Sequence, residues 1–490
     1  MKMVIQSTKE KRPSILDIPV GSVLPGTVLV QTAASFVSAG TERMIVEFSG
    51  KSLVDKAKSR PDLVRQVLDK ARTEGIVSTL NTVRNKMDQS IPLGYSSAGT
   101  VIAVGEGIDD IKVGDRIACG GSGASHSEIG CVPRNLLVPI PENVDFESAS
   151  FTTIGAIAMQ GVRLAGTKLG ETVAVIGLGL IGLITIQIVK AAGGVVVGMD
   201  PDPGRAELAR KLGADGVATN DQEFLSVINR FSSNRGADQV LITAATPSDG
   251  PVTLAAAVAR DKGRVVAVGL VGFNIPRNPY YYKELDFQVS RSYGPGRYDP
   301  EYEAKGHDYP AAYVRWTENR NMEAFVSLVG EGKVDVKTLI THRFPVDRAA
   351  EAYDLLTGEN KEPYLGVVLV YPEDADMKTT VILNKAKHDS GTEPEGSPLK
   401  SVGLGVIGAG NFANAGLLPI IKNIKNLSFV GIAGRNGLGC STVGRRFGFG
   451  YCTTDTQKLL DDASINTIAL LTRHNLHAAQ VMAALKAGKN

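Results

Sequence analysis

VAVIGLGLIG, residues 173–182, is the stretch whose reading decides the fold. An apolar run leads into Gly177, Gly179 and Gly182, and apolar residues continue to position 189, which places a GxGxxG turn between a buried strand and a helix. In that context the first glycine permits a tight turn, the second lets the backbone approach a pyrophosphate, and the third lets the helix pack closely, with phosphate facing the helix N-terminus. Asp200 ends the next apolar run, 18 residues after Gly182. A carboxylate there accepts hydrogen bonds from the adenosine ribose hydroxyls and favours NAD over NADP. Arg205 is close enough in sequence to touch the same ribose or the adenine; the alternative reading is a surface residue opening the next helix.

Outward from this turn, strands and helices alternate from residue 171 onward (TVAVIGLG, GVVVGMD, RAELARKLG, ADQVLITAA, GRVVAVGL), a pattern that gives right-handed βαβ units and a parallel sheet. Before it, short β-rich runs such as GTVLVQTAASFV, AGTVIAVG and GDRIACGG are separated by Gly, Pro and Asp turns and read as a compact, mostly β unit. Residues 51–90 interrupt that unit with apolar positions at helical spacing, which predicts two helices. Their nine basic and five acidic residues read as a solvated face or, alternatively, as a draw for an anionic substrate. Residues 373–400 are polar and rich in Gly, Pro, Ser and charge, as a linker would be. A second fingerprint, GVIGAGNFA, then supplies Gly408 and Gly410, with Ala413 at the third position. Gly434 stands where the acidic residue belongs and Arg435 follows it, so a cation is available for a 2′-phosphate. Two readings stand for this second fold: it takes NADP, or it keeps the sheet and binds nothing.

The whole chain of 490 residues is too long for one core, and its 43% hydrophobic and 21% charged residues are those of a globular protein. Lys plus Arg number 53 against 51 Asp plus Glu, a balance that points to neither nucleic acid nor an acidic membrane as partner. The longest apolar run, residues 173–189, is glycine-broken and short for a spanning helix. Four cysteines without a CxxC pair fit a reducing compartment, and with no export signal visible the cytoplasm is the expected location.

Residues 1 to about 372 resemble the medium-chain dehydrogenase/reductase superfamily, through AGTE, PLGYSSAGTVIAVG, VGDRIA, VIGLGLIG and LITHRFPVDRAAEAYDLL in that order. The resemblance implies an α/β chain with a GroES-like β domain (1–155, with the insert at 51–90, completed by 295–372) flanking a Rossmann domain (156–294). Residues 401–490 resemble the N-terminal part of Gfo/Idh/MocA oxidoreductases, through GVIGAGNFA and TRHNLHAAQVMAALKAGKN, which implies a second, incomplete Rossmann domain lacking that family's catalytic lysine. The chain departs from the first family at its zinc ligands. Ala39 stands where a cysteine precedes the Gly-Thr pair, Gly94-Tyr95-Ser96 stands for Gly-His-Glu, and FTTIGAIAMQGV carries no cysteine. Cys119 and Cys131 do not make a four-cysteine lobe, and His126 between them reads as an ordinary loop histidine.

No zinc is therefore expected, and charge on a substrate oxygen falls to hydrogen-bond donors and a proton relay. Thr41 matches the family's relay hydroxyl, and Tyr95 puts a phenol where a metal ligand would be. Glu42 is either a proton relay or a structural carboxylate in a turn. Eight of the 13 tyrosines, from Tyr280 to Tyr313, fall within 34 residues. They suit stacking on a saccharide, with Arg291 and Arg297 holding an anionic group, or the packing of a domain or homo-oligomer interface. The expected activity is hydride transfer between NAD(P) and an alcohol or carbonyl carbon of a sugar or nucleotide-sugar derivative. Reduction of an activated C=C bond, or dinucleotide sensing without catalysis, are the alternatives.

Overall fold

The strand Thr172–Ile176 is buried along its whole length, as a central strand covered by helices on both faces must be. It sits in a six-stranded parallel sheet whose order runs Gly216–Ala218, Val195–Met199, Thr172–Ile176, Ala237–Ile242, Ala259–Ala267, Asp286–Val289. In chain order this is 3-2-1-4-5-6, and the direction of winding reverses beside Thr172–Ile176, which puts the ligand crevice of such a sheet at the glycine turn. The computed structural model describes residues 1–8, 10–52, 55, 56, 58, 90–358, 362–384 and 401–490. The helical pair expected within 51–90 lies almost wholly outside these residues.

The β unit is built on the strand Thr27–Val37, which pairs with Ser96–Val104, Ile129–Pro133 and Gly366–Val370. Gly366–Val370 and its neighbour Ile340–Pro345 come from the far end of the first family-like region. The chain thus returns to close the sheet it opened. Between the β unit and the parallel sheet lies the helix Thr152–Ala165. It packs on Leu180–Ala191, the helix after the glycine turn, and on Glu318–Gly330, so one rigid element links the two halves of the crevice. Tyr95 packs against the same apolar cluster as Leu178 and Leu183.

The last sheet runs Thr380–Ile382, Tyr451–Thr453, Leu427–Ala433, Val402–Ile407, Thr467–Leu470. Its four parallel strands are half of a nucleotide-binding sheet. The structure corrects one expectation here. Thr380–Ile382 falls within the stretch 373–400 that reads as linker, yet it is an antiparallel edge strand on Tyr451–Thr453. Residues 385–400 lie outside the described residues. The second sheet is tied to the β unit by Val20, whose N–H donates to Lys378 O at 3.0 Å and whose carbonyl accepts from Thr454 at 2.5 Å. Among the described residues no helix is long and apolar enough to cross a membrane.

Candidate functional site

At the first fingerprint, Gly177 adopts φ +96°, and a Cβ there would lie 2.6 Å from the backbone of Ala244. A Cβ on Gly182 would lie 2.0 Å from the Gly177 carbonyl, so both positions exclude any side chain. Gly179 is different: a Cβ would meet nothing within 4 Å. Gly179 also caps Leu180–Ala191 without any side-chain hydrogen bond. Open space in front of an uncapped helix N-terminus is what a diphosphate requires, and the first N–H groups of the helix point into it.

Asp200 follows the strand Val195–Met199 and is 7% exposed. One carboxylate oxygen accepts from the Leu178 N–H at 2.8 Å and the other from Asp202 N–H at 3.0 Å. The residue therefore pins the glycine turn, and its carboxylate oxygens keep further lone pairs able to accept hydroxyls. Arg205 lies 3.8 Å from Asp200 and 3.7 Å from Asp202, a loose and half-exposed pairing. Asp200 and Arg205 thus lie side by side just beyond the strand Val195–Met199.

The second fingerprint repeats the geometry. Gly408 has φ +115° and lies against Leu471, Gly410 faces open space, and Ala413 is fully buried. The helical run after it opens as a π-helix, Phe412–Leu417, a form common at functional sites. Arg435 is exposed, just beyond the strand Leu427–Ala433, and makes no ion pair among the described residues.

Thr41 and Glu42 open the helix Thr41–Gly50, with Thr41 exposed and Glu42 1% exposed. Adjacent residues on a helix point in different directions, so one serves the surface of the site and the other its interior. The Tyr95 phenol donates to Ser38 Oγ at 2.8 Å, and Thr41 is near enough to act on it. Burial foremost, with the Glu42 charge adding, pushes Tyr95 above its ordinary range, so the site holds it as a phenol. The sequence reading of His126 needs correction: it is fully buried, and its Nε2 lies 3.0 Å from Glu42. Its Nδ1 lies 2.7 Å from Ser35 Oγ, which in turn lies 2.8 Å from the Tyr371 hydroxyl. Glu42 further accepts from the Ser38 N–H at 2.8 Å and from the Tyr353 hydroxyl. His126, Tyr353 and Tyr371 are the members of the site that the sequence reading misses.

The tyrosine-rich segment splits in two. Tyr280, Tyr293 and Tyr302 are buried packing residues, whereas Tyr281, Tyr282, Tyr298 and Tyr313 are exposed. Tyr298 is near enough to act electrostatically on Tyr95, and the guanidinium groups of Arg291 and Arg297 stack on its ring at 4.5 and 4.0 Å. Arg297 is paired with Glu303, and Arg291 has no carboxylate partner among the described residues.

Zinc does not fit the donors present. The described residues hold no group of three or more His, Cys, Asp or Glu that could bind a metal. Burial pushes the Cys119 thiol up to about 12, and both His126 nitrogens are engaged. A tetrahedral site needs four deprotonated or neutral donors converging on one point.

Residues 181–304 match the family model described as zinc-binding dehydrogenase, and residues 402–490 match that of the oxidoreductase family, NAD-binding Rossmann fold. Sorbitol dehydrogenase of Bacillus subtilis is 25% identical over 57% of this chain and 80% of the relative. D-arabitol-phosphate dehydrogenase of Enterococcus avium is 24% identical over 55% of this chain and 80% of the relative. Among solved structures, galactitol-1-phosphate dehydrogenase from Escherichia coli superposes with a TM-score of 0.55 at 20% identity, over 76% of this chain and all of that one. That likeness shows the shared fold.

Proposed function

We propose that this chain, a dehydrogenase-type oxidoreductase with one NAD(P)-binding domain of the zinc-binding dehydrogenase kind and a second of the Gfo/Idh/MocA kind, works without zinc. In this reading it transfers hydride between NAD and an alcohol or carbonyl carbon of a sugar derivative. The observation that carries the reading is Tyr95, a phenol bonded to Ser38 and near Thr41, at a position where the resemblance to the dehydrogenase family implies a metal ligand. Bound with its diphosphate at Gly177, Gly179 and Gly182 and its ribose at Asp200 and Arg205, the dinucleotide would accept or deliver the hydride. Tyr95, turning its one proton from Ser38 Oγ to the substrate oxygen, donates a hydrogen bond there, and Thr41 offers the surface hydroxyl through which a proton leaves or arrives. Glu42, buried behind them, supplies fixed negative charge. Gly408, Gly410 and Arg435 form a second dinucleotide site suited to NADP. The polyol and polyol-phosphate names of the relatives support a saccharide-like substrate.

Two measurements test this reading. Tyr95→Phe should lower turnover by roughly 100-fold or more, the usual worth of a positioned acid, while NADH affinity changes less than about twofold. Turnover unaffected by the lost hydroxyl would remove Tyr95 from the site. Metal analysis of the purified chain should find well under one zinc per chain, with activity indifferent to chelators; stoichiometric zinc would overturn the metal-free reading.

A further inference from the structure

Glu42 is a carboxylate almost wholly removed from water, and such a group is stable only when paired or multiply hydrogen-bonded. Its donors come from three separate elements: the Ser38 N–H, the Tyr353 hydroxyl from the helix Ala349–Thr357, and His126. Counting protons fixes the state of the set. If His126 is neutral with its proton on Nε2, it donates to Glu42, Nδ1 accepts from Ser35, and Ser35 accepts from Tyr371. Each hydroxyl in that series then gives its proton to one acceptor. If the proton sat on Nδ1 it would donate to Ser35, and one of the two hydroxyl protons of Ser35 and Tyr371 would have no acceptor among the described residues. A ring with its proton on Nε2 therefore suits this network, with the Glu42 carboxylate as its acceptor.

That charge is surrounded by phenols. Tyr95, Tyr353 and Tyr371 are all pushed above the ordinary tyrosine range, by burial foremost, and Glu42 adds to each. The remaining groups facing Tyr95 are Ser38, Thr41 and the Tyr298 phenol, and Glu128 faces Tyr371. Among the described residues no Lys or Arg acts on these three phenols.

We infer that His126 and Tyr353 are positioning residues of the site: together they hold Glu42 as a fixed buried carboxylate, and Glu42 in turn, bonded to the Ser38 N–H, fixes the residue on which the Tyr95 phenol is aligned. The placement stands on these hydrogen bonds; that the held phenol serves a substrate oxygen rests on the function proposed above. Nothing in the sequence local to His126 announces the role, because its ring partners lie 84 and 91 residues away.

The test needs neither substrate nor cofactor. In the full chain labelled with ¹⁵N-histidine, the His126 signals, identified by their loss in His126→Asn, should show a proton on Nε2 and an acceptor at Nδ1 at about pH 7. A proton on Nδ1 overturns the inference. A fluorinated tyrosine placed at position 95 brings its ionisation into the range where the protein is folded, and ¹⁹F NMR reads the midpoint. Glu42→Gln should lower that midpoint, and Tyr353→Phe, which strips a donor from the carboxylate and leaves its field less screened, should move it the other way. An unmoved midpoint in Tyr353→Phe overturns the inference, even if Glu42→Gln fails to fold. Should NADH fail to bind while these shifts are found, the proposed function falls and the electrostatic assignment stands; normal turnover with an unmoved midpoint has the opposite meaning.

Discussion

Replacing Gly179 with aspartate should weaken NADH binding more than about 100-fold, equivalent to some 2.7 kcal/mol or more, and leave the melting temperature unchanged or slightly raised. The separation of the two effects follows from the position. Gly179 caps Leu180–Ala191 with φ −69° and open space before its Cβ, so an aspartate enters without strain. Aspartate is also among the best N-cap residues, because its carboxylate accepts the helix's first free N–H groups. Those are the groups a diphosphate would use. The substitution satisfies the helix and fills the cradle with negative charge. Gly182→Ala would be a poorer probe, since its Cβ would collide with the Gly177 carbonyl and disturb the fold itself. A matched Gly410→Asp variant divides binding between the two fingerprints by calorimetric titration with NADH and NADPH. Unchanged NADH affinity in Gly179→Asp would remove the first crevice as the NADH site.

The contrast between what the sequence discloses and what it hides lies in how far apart the cooperating residues are. Gly177, Gly179 and Gly182 belong to one turn, and each answers to a local steric demand, so their spacing is itself a record of the geometry. Asp200 is legible because a parallel βαβ unit carries the next strand end to the same edge of the sheet. Glu42 is half legible: its place after Thr41 suggests a role, but which role depends on what faces it across the β unit. His126, Tyr353 and Tyr371 meet Glu42 and Ser35 only through long-range pairing, Tyr353 from 311 residues away and Tyr371 from 336. A histidine among serines in a β-rich run carries no local mark of burial. The edge strand Thr380–Ile382 was hidden for another reason. Three residues in a polar stretch have no periodicity to read, and their pairing with Tyr451–Thr453 is a tertiary fact. The expected division into 1–155, 156–294, 295–372 and 401–490 therefore stands as a proposal about units, while the strand itself belongs to the second sheet.

Glu318→Gln should remove a pH dependence of stability that the native chain carries. Glu318 opens the helix Glu318–Gly330, is fully buried, and among the described residues neither of its oxygens makes a hydrogen bond of normal geometry. Its position at a helix N-terminus favours the charged form, and Arg297 does the same, but both lose to burial. Burial foremost, and next the charge of Glu303, raise the Glu318 carboxyl to about 8. In the unfolded chain a glutamate ionises near pH 4.3. Between these values the folded state holds a proton that the unfolded state releases, so the stability of the native chain falls as pH rises, by about 1.4 kcal/mol per pH unit for one proton. Below about pH 4 the residue is neutral in both states and contributes no such slope, and above about pH 8 the loss is complete. Glutamine keeps the shape and carries no charge to desolvate. Urea unfolding from pH 5 to 9 should therefore give curves that diverge, with Glu318→Gln increasingly the more stable chain as pH rises, by an amount on the order of a few kcal/mol at the alkaline end. Other carboxylates titrate alike in both proteins and cancel in the difference. Parallel curves would mean that Glu318 is ionised in the folded chain and that its burial is compensated. The consequence reaches the site, because the groups around Glu318 are Tyr293, Arg297 and Glu303, and the same Arg297 stacks on Tyr298 beside Tyr95. Ionising Glu318 strengthens its pull on Arg297, which is shared with Glu303 and with the Tyr298 face. Substrate affinity should weaken over the same alkaline range in the native chain and stay level in Glu318→Gln.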